Sequence, residues 1–371
     1  MVLFRDQMYD LASGADIYRL NMTLRDLSFL TAEDAEQIFA GFDRTGLDVP
    51  ESAQLIFDVC GKSAFTLPEM SYHWTLRLWE RFPAMLSSEG ALHPGYVYRA
   101  SEQRTFARCP ICGGKGVPYY RGFSYGMVDF HYPFLLVKLW MRCGSCENLY
   151  TWQYPEEQLA LSFHMERLEP DPERYWSTTQ KTDGHQLGLW CETLERLQSY
   201  TEGDSLLEVG VGTGELLAVA QEAGFSVDAV EIEAYHAQRV ADMLDIPVWN
   251  GDFLALDTER RYDVITMGDV IEHIVDPAGA LRNAYRLLKD DGFLWLSTSN
   301  YESSYSRMMK FQDAMWQEPT HISYFSFRGL RALAGQSGFL VQDYRVSKRY
   351  NGSMELILVK NPEENVESGT A

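Results

Sequence analysis

The chain has 371 residues, 46% hydrophobic and 13% aromatic, which exceeds one hydrophobic core and predicts two or three packed units. No run approaches the roughly 18 apolar residues a membrane helix needs, and Met1–Asp10 has no basic start, apolar stretch or cleavage site, so a soluble, cytoplasmic protein without a membrane partner is expected. The formal charge of -21 repels polyphosphate at long range and argues against a large nucleic-acid substrate.

Residues 1–100 read as a mainly helical accessory region, with Thr31 or Ser28 as caps before Ala32–Phe39 and Pro68 opening the aromatic stretch Met70–Met85. Asp43, Thr45 and Asp48 have a faint likeness to a calcium loop, but the required glycine is missing and Gln54 replaces the closing glutamate, so the assignment is rejected. His73, among Tyr72, Trp74 and Trp79, has no Cys or His partner at helical spacing and reads as part of a packed face. Ser87–Gly95 has the composition of a linker.

Residues 101–155 carry two matching knuckles, Cys109-Pro110-Ile111-Cys112-Gly113-Gly114 and Cys143-Gly144-Ser145-Cys146. Each turn brings two thiolates to one ion, and four thiolates close a tetrahedral structural zinc shell that does no chemistry itself. A redox role for these pairs needs a thioredoxin-like setting, which is absent. The short aromatic and β-branched runs between glycine pairs suit small hairpins, so the module reads as a zinc ribbon. Cys60 and Cys191 stand apart and are expected to be buried, inert thiols.

Residues 156–361 follow a charged, proline-broken connection over Pro155–Pro172. Strand and helix patterns then alternate: Leu206–Val209, Glu215–Ala223, Val227–Ile232, Ala234–Leu244, Pro247–Asn250, Tyr262–Met267, Ala278–Leu288 and Phe293–Ser297. Alternation of this kind predicts an α/β, doubly wound parallel sheet. Asn351-Gly352 between Leu340–Val346 and Glu355–Val359 is a hairpin signal, so the sheet is expected to end with an antiparallel strand. Residues 362–371 read as a loose tail.

The run Leu206–Glu215 leads a buried strand into glycines at every second position, where the chain bends sharply and a ligand approaches the backbone closely. The spacing is Gly210-x-Gly212-x-Gly214, whereas a pyrophosphate site wants Gly-x-Gly-x-x-Gly. Glu208 just before the turn would repel a phosphate but can accept from the ammonium of S-adenosylmethionine, and this difference in sign favours that cofactor. Glu231, ending the next strand with Ile232 beside it, can accept from both ribose hydroxyls. Asp252 and Phe253 after the third strand can bind the adenine amino group and stack on the ring. Gly268 and Asp269, ending the fourth, border the expected methyl position.

Glu208–Gly214, Glu231, Gly251–Phe253, Tyr262–His273, Asp291–Thr298 and His321–Gly338 together resemble the successive motifs of class I methyltransferases, in the group that contains ubiquinone-type O-methyltransferases. The resemblance covers about residues 175 to 360. It implies a seven-stranded Rossmann-like sheet and places Glu208, Gly210, Gly212 and Gly214 at the methionine end, Glu231 at the ribose, and Asp252 and Phe253 at the adenine. Asp269, Glu272 and His273 match, with Asp for the first Glu, an acidic-x-x-Glu-His pattern by which some relatives hold a divalent ion. A ribbon ahead of such a domain resembles several natural-product and sugar methyltransferases, although their long C-terminal extension is missing.

Methyl transfer asks the enzyme to align nucleophile and methyl and, for a hydroxyl or acidic carbon, to remove a proton. His321 and His273 are the candidate bases. Thr266–Val270 lacks the Asn/Asp-Pro-Pro-Tyr type of sequence that grips a base amine, so oxygen or carbon acceptors are favoured over a base nitrogen. The expected function is a methyltransferase acting on a small-molecule or peptide substrate, with a homodimer left open. The alternative is a protein or RNA methyltransferase that uses the ribbon to hold a macromolecule.

Overall fold

In a computed structural model the described residues are 1–77 with breaks at 26, 28–29, 46–49 and between 64 and 76, then 103–123, 137–156, and 186–362 apart from 311, 312 and 317. The Ser87–Gly95 linker, nearly all of the Pro155–Pro172 connection and the tail beyond Pro362 lie outside them. The first unit opens with a hairpin that the helical reading omits. Strand β1 (Val2–Phe4) pairs antiparallel with β2 (Gln7–Tyr9), turning through Arg5 and Asp6 at positive φ. Helices α1 (Gly14–Arg25), α2 (Ala32–Thr45) and α3 (Pro50–Ser63) follow. The Thr31 hydroxyl accepts from the Asp34 N–H at 3.1 Å, which is the expected cap. Phe4, Tyr9, Leu20, Phe39, Phe42 and Trp74 belong to a core of their own here.

The cysteine-bearing unit consists of β3 (Gln103–Thr105), β4 (Gly116–Phe123), β5 (Val137–Cys143), β6 (Leu149–Thr151) and β7 (Gln153–Pro155). Strands β4, β5 and β6 form antiparallel ladders, and β3 pairs with β7. After helix α4 (Gln186–Gln198), on which Cys191 is exposed rather than buried as expected, the larger sheet begins. An amphipathic helix has a solvent face whatever residue sits there.

That sheet contains β8 (Ser205–Val209), β9 (Ser226–Glu231), β10 (Val248–Asn250), β11 (Tyr262–Gly268) and β12 (Leu288–Ser299), threaded by helices α5 (Glu215–Glu222), α6 (Ala234–Leu244) and α7 (Pro277–Leu287). Asp276 caps α7 through the Gly279 N–H at 2.8 Å, and Pro277 fills the first turn, where its missing N–H costs nothing. All five residues of β8 are buried, as a central parallel strand covered on both faces requires. Helix α8 (Ser304–Met309), strand β13 (Ser323–Tyr324), helix α9 (Phe327–Gln336) and strands β14 (Phe339–Val346) and β15 (Ser353–Lys360) complete the chain. The strand order is β10-β9-β8-β11-β12-β15-β14, and β15 runs antiparallel to both neighbours. This is the doubly wound sheet that the alternation predicts, with the seven strands that the family resemblance implies and the final strand of the sequence reversed and inserted one place from the edge.

The cysteine unit is built into this sheet's surroundings. Strand β13 of the larger domain adds to β6, with Ser323 opposite Tyr150 and Tyr324 opposite Leu149. Phe106, Tyr150 and Tyr154 share one apolar core with Leu207, Met267, Leu296 and Phe325. Trp140 Nε1 donates to the Trp316 carbonyl at 3.1 Å, and the Tyr301 hydroxyl donates to the Glu147 carbonyl at 2.6 Å, so buried polar groups are matched across the joint as well.

Candidate active site

The glycine turn after β8 takes a path that only glycine adopts freely. Gly210, Gly212 and Gly214 all have positive φ (79°, 50° and 84°), and a Cβ at Gly210 would meet Val270 at 2.7 Å. Glu231 ties this turn to the end of β9: its Oε2 accepts from the Val211 N–H at 2.9 Å and its Oε1 from the Glu233 N–H at 2.8 Å. Burial pushes the Glu231 carboxyl up, and these backbone donors pull it back. Two lone-pair sites remain for the vicinal hydroxyls that the sequence reading gave it. Asp252 Oδ1 caps the short turn Phe253–Ala255 through the Leu254 N–H at 2.9 Å, which leaves Oδ2 for a ligand.

Between these strand ends lies a mainly apolar cleft of about 900 Å³, counted out to its open mouth. Of the residues expected to bind cofactor, Gly210, Glu231, Ile232, Asp252 and Phe253 line it, together with His273. Glu208, Gly212, Gly214, Gly268, Asp269 and His321 stand back from its walls. Leu254, Val270, Ile274, Val275 and Tyr154 line it and were not anticipated. Ile232 and Leu254 are large apolar side chains left 42% and 37% exposed at a cleft, suited to a planar ring between them. Glu208 Oε2, at the end of β8 before the glycine turn, is buried without a hydrogen-bond partner among the described residues, an acceptor left open. The acceptor carboxylates and the apolar walls therefore fit S-adenosylmethionine.

Beyond β11 the chain turns at Asp269, which adopts a positive φ of 56°. Its Oδ1 accepts from the Ser297 hydroxyl at 3.1 Å, and its Oδ2 faces Arg349 Nη1 at 3.0 Å. Asp269 thus points away from the group that gathers next to it, Glu272 with His273 and His321, whose donor atoms lie within 4.8 Å of one another. The Glu272 carboxyl, fully buried and near the Asp269 charge, is pushed up to about 8.

His273 Nδ1 lies 3.2 Å from the Thr320 carbonyl, which can only accept, so Nδ1 carries the proton and Nε2 keeps its lone pair. The His321 ring packs edge-on to it, and burial lowers the pKa of both imidazoles. Lys138 of the cysteine unit fixes this loop from below, donating to the carbonyls of Glu318 (2.7 Å), Pro319 (3.4 Å) and His321 (2.6 Å). Burial pushes the Lys138 ammonium down to about 7, opposed by the Glu318 carboxylate, while three carbonyl acceptors match the three donors of its charged form.

The four knuckle cysteines converge as their spacing implies. Sγ of Cys109 is 3.7 Å from that of Cys146, and Sγ of Cys112 is 3.4 Å from that of Cys143. All four lie within 4.8 Å of one another, and all are free thiols. A tetrahedron with a metal–sulfur distance of about 2.3 Å has sulfur–sulfur edges of roughly 3.8 Å, so the cluster has the dimensions for zinc. The Ser145 N–H points at Cys143 Sγ at 3.4 Å, a backbone donor to sulfur. Hydrogen bonding between Cys109 and Cys146 holds the Cys146 thiol below its ordinary value, towards the thiolate that metal binding needs.

Residues 182–344 match the family described as a methyltransferase domain. The ubiquinone biosynthesis O-methyltransferase of Hydrogenovibrio crunogenus is 26% identical over 168 residues, 42% of this chain and 69% of that protein. Its counterpart in Xanthomonas oryzae pv. oryzae is 30% identical over 105 residues, 26% of this chain and 44% of that protein. Among solved structures, magnesium protoporphyrin IX methyltransferase from Synechocystis PCC 6803, with bound SAH, covers 54% of this chain and 99% of its own at 16% identity and a TM-score of 0.43. The chain carries a class I methyltransferase domain dependent on S-adenosylmethionine. Among the described residues, no helix is long and apolar enough to cross a membrane.

Proposed function

We propose that the protein methylates an oxygen, or an acidic carbon, of a small molecule or of a natural-product or peptide intermediate. The observation that carries this reading is His273: it lines the cleft, and the Thr320 carbonyl holds it in the tautomer whose Nε2 is free to accept a proton. S-adenosylmethionine, when bound, supplies an electrophilic methyl group. Glu208, Glu231 and Asp252 would orient it through its ammonium, ribose and adenine amino groups, and Ile232, Phe253 and Leu254 would enclose the ring. His273 would take the acceptor's proton, with His321 packed behind it as a positioning residue. The name of the curated relatives, O-methyltransferases of ubiquinone biosynthesis, supports an oxygen acceptor. The charge of -21 weighs against RNA.

In the same reading the four cysteines hold one structural zinc ion, and the unit around it shapes the substrate side. Tyr154 on the cleft wall and Lys138 beneath the Glu318–His321 loop support that role. The test is incubation of the purified protein with methyl-labelled S-adenosylmethionine and either a deproteinised metabolite extract of its host or the host's protein and RNA fractions. Label is expected in a low-mass O-methyl or C-methyl product. Label confined to protein or RNA would overturn the reading.

A further inference from the structure

Arg349 lies outside every motif considered so far. It sits in the loop 347–352 between β14 and β15. Because β15 runs antiparallel to β12, with Ser353 opposite Ser299, that loop falls at the edge where β8, β9 and β11 end, which is the edge of the cleft. The side chain reaches back past β12 to the end of β11. Its Nη1 is 3.0 Å from Asp269 Oδ2 and 2.9 Å from where a Cβ on Gly268 would stand, so a side chain there would displace the guanidinium. Its guanidinium packs 4.0 Å from the centre of the Trp190 ring.

This guanidinium is buried, with its side chain 9% exposed, yet Nε and Nη1 make no aligned hydrogen bond among the described residues. Asp269 Oδ2, across the ion pair, makes none either. On the neighbouring strand, Glu208 Oε2 is likewise buried and unmatched; burial pushes that carboxyl well up, and the nearby Arg349 charge pulls it back. Buried ionic groups left without hydrogen bonds are costly, and they mark the place of an absent partner. A cation with spare donors and a carboxylate with a spare acceptor, at adjoining strand ends, are complementary to an amino acid zwitterion.

We propose that Arg349 receives the α-carboxylate of the methionine moiety, while Glu208 receives its ammonium. Asp269 holds the guanidinium at the strand ends until the carboxylate arrives, and Trp190 fixes its plane. Arg349 is thereby a specificity residue that selects ligands bearing the intact amino-acid end over adenosine compounds without it. This inference rests on the reading of the cleft as an S-adenosylmethionine site.

The test compares S-adenosylhomocysteine, 5′-methylthioadenosine and decarboxylated S-adenosylmethionine by calorimetric titration of the full chain. Arg349→Met keeps an apolar stem over Trp190. It is expected to weaken S-adenosylhomocysteine roughly ten- to a hundredfold, the range for a charge-assisted hydrogen-bonded pair, and to leave 5′-methylthioadenosine unchanged. Arg349→Lys should recover part of the loss. The wild type needs no variant: it should bind the decarboxylated compound more weakly than S-adenosylmethionine by a similar factor. Equal weakening of both adenosine ligands in Arg349→Met, or a wild type indifferent to decarboxylation, overturns the proposal while the cofactor site stands. A folded wild type that binds none of these compounds overturns the cofactor reading, and this proposal with it.

Discussion

The imidazoles of His273 and His321 meet edge to face, 4.7 Å between centroids and 74° between planes, and of the two it is His273 that lines the cleft. Sequence spacing makes both candidates for the base. Packing separates them, because His321 is 6% exposed and its Nδ1 is buried without a hydrogen-bond partner among the described residues, whereas the Nδ1 of His273 is engaged by the Thr320 carbonyl. Two rings this close cannot both hold a proton without repulsion, and the His273 charge is among the causes that lower the His321 pKa.

Replacing His273 by Ala is expected to lower turnover roughly a hundredfold or more, the usual contribution of a general base, with affinity for S-adenosylhomocysteine retained. His321→Ala should lower turnover less, since its ring acts on His273 through packing. Turnover and affinity measured on both variants check this. The reverse ranking would return the role to His321.

The pH dependence of turnover follows from burial. An imidazolium cannot accept a proton, so the rate must fall on the acid side. Because burial lowers the pKa of both histidines, the fall is expected below their ordinary value of about 6.5. Burial and the His273 charge hold His321 lower still, so His321 is neutral where His273 titrates, and His321→Ala should move the midpoint upward only by relieving the burial of His273. A rate profile with its acid limb above pH 7 would contradict this.

Glu231→Gln tests the link between the glycine turn and the end of β9. The amide offers one acceptor where the carboxylate accepts from both Val211 and Glu233, so one buried N–H loses its match. A loss of about 1–3 kcal/mol in stability is expected, together with weaker cofactor binding. Denaturant unfolding with and without S-adenosylhomocysteine measures both. Unchanged stability would show that the turn holds without this carboxylate.

Elemental analysis is expected to find about one zinc ion per chain, and chelation to lower both the melting temperature and turnover. Turnover enters because β5 runs from Cys143 to Lys138, whose three donors hold the Glu318–His321 carbonyls, and because the Thr151 N–H donates to the Ile322 carbonyl at 2.8 Å. Lys138→Met in the zinc-loaded protein should reproduce part of the loss of turnover without releasing the metal. A disulfide between Cys109 and Cys112 with no metal would overturn the zinc assignment.

The sheet was legible because strand and helix patterns are local: Leu206–Val209 and Val227–Ile232 announce buried strands, and Gly210-x-Gly212-x-Gly214 announces a turn that side chains cannot follow. The cysteine cluster was legible because two knuckles of fixed spacing can meet on one ion. The two-residue strand Ser323–Tyr324 was not, since its pairing with Tyr150 and Leu149 spans more than half of the described chain and leaves no local period. Tyr154 reaches the cleft, and Arg349 reaches Asp269 at the end of β11, by the same kind of long-range placement, from a ribbon strand and a hairpin loop. The hairpin over Val2–Tyr9 was hidden by its brevity and by a turn made of Arg5 and Asp6 in place of glycine or asparagine.

The most direct test of the whole account is a calorimetric titration of the folded, zinc-loaded chain with S-adenosylhomocysteine and, separately, with NAD. The cleft built by Gly210, Glu231, Asp252 and Phe253 is expected to bind one S-adenosylhomocysteine per chain and no NAD, because the Glu208 carboxylate stands where a pyrophosphate would need a neutral or cationic turn. Binding of NAD in its place, or no binding of S-adenosylhomocysteine by folded protein, would contradict it.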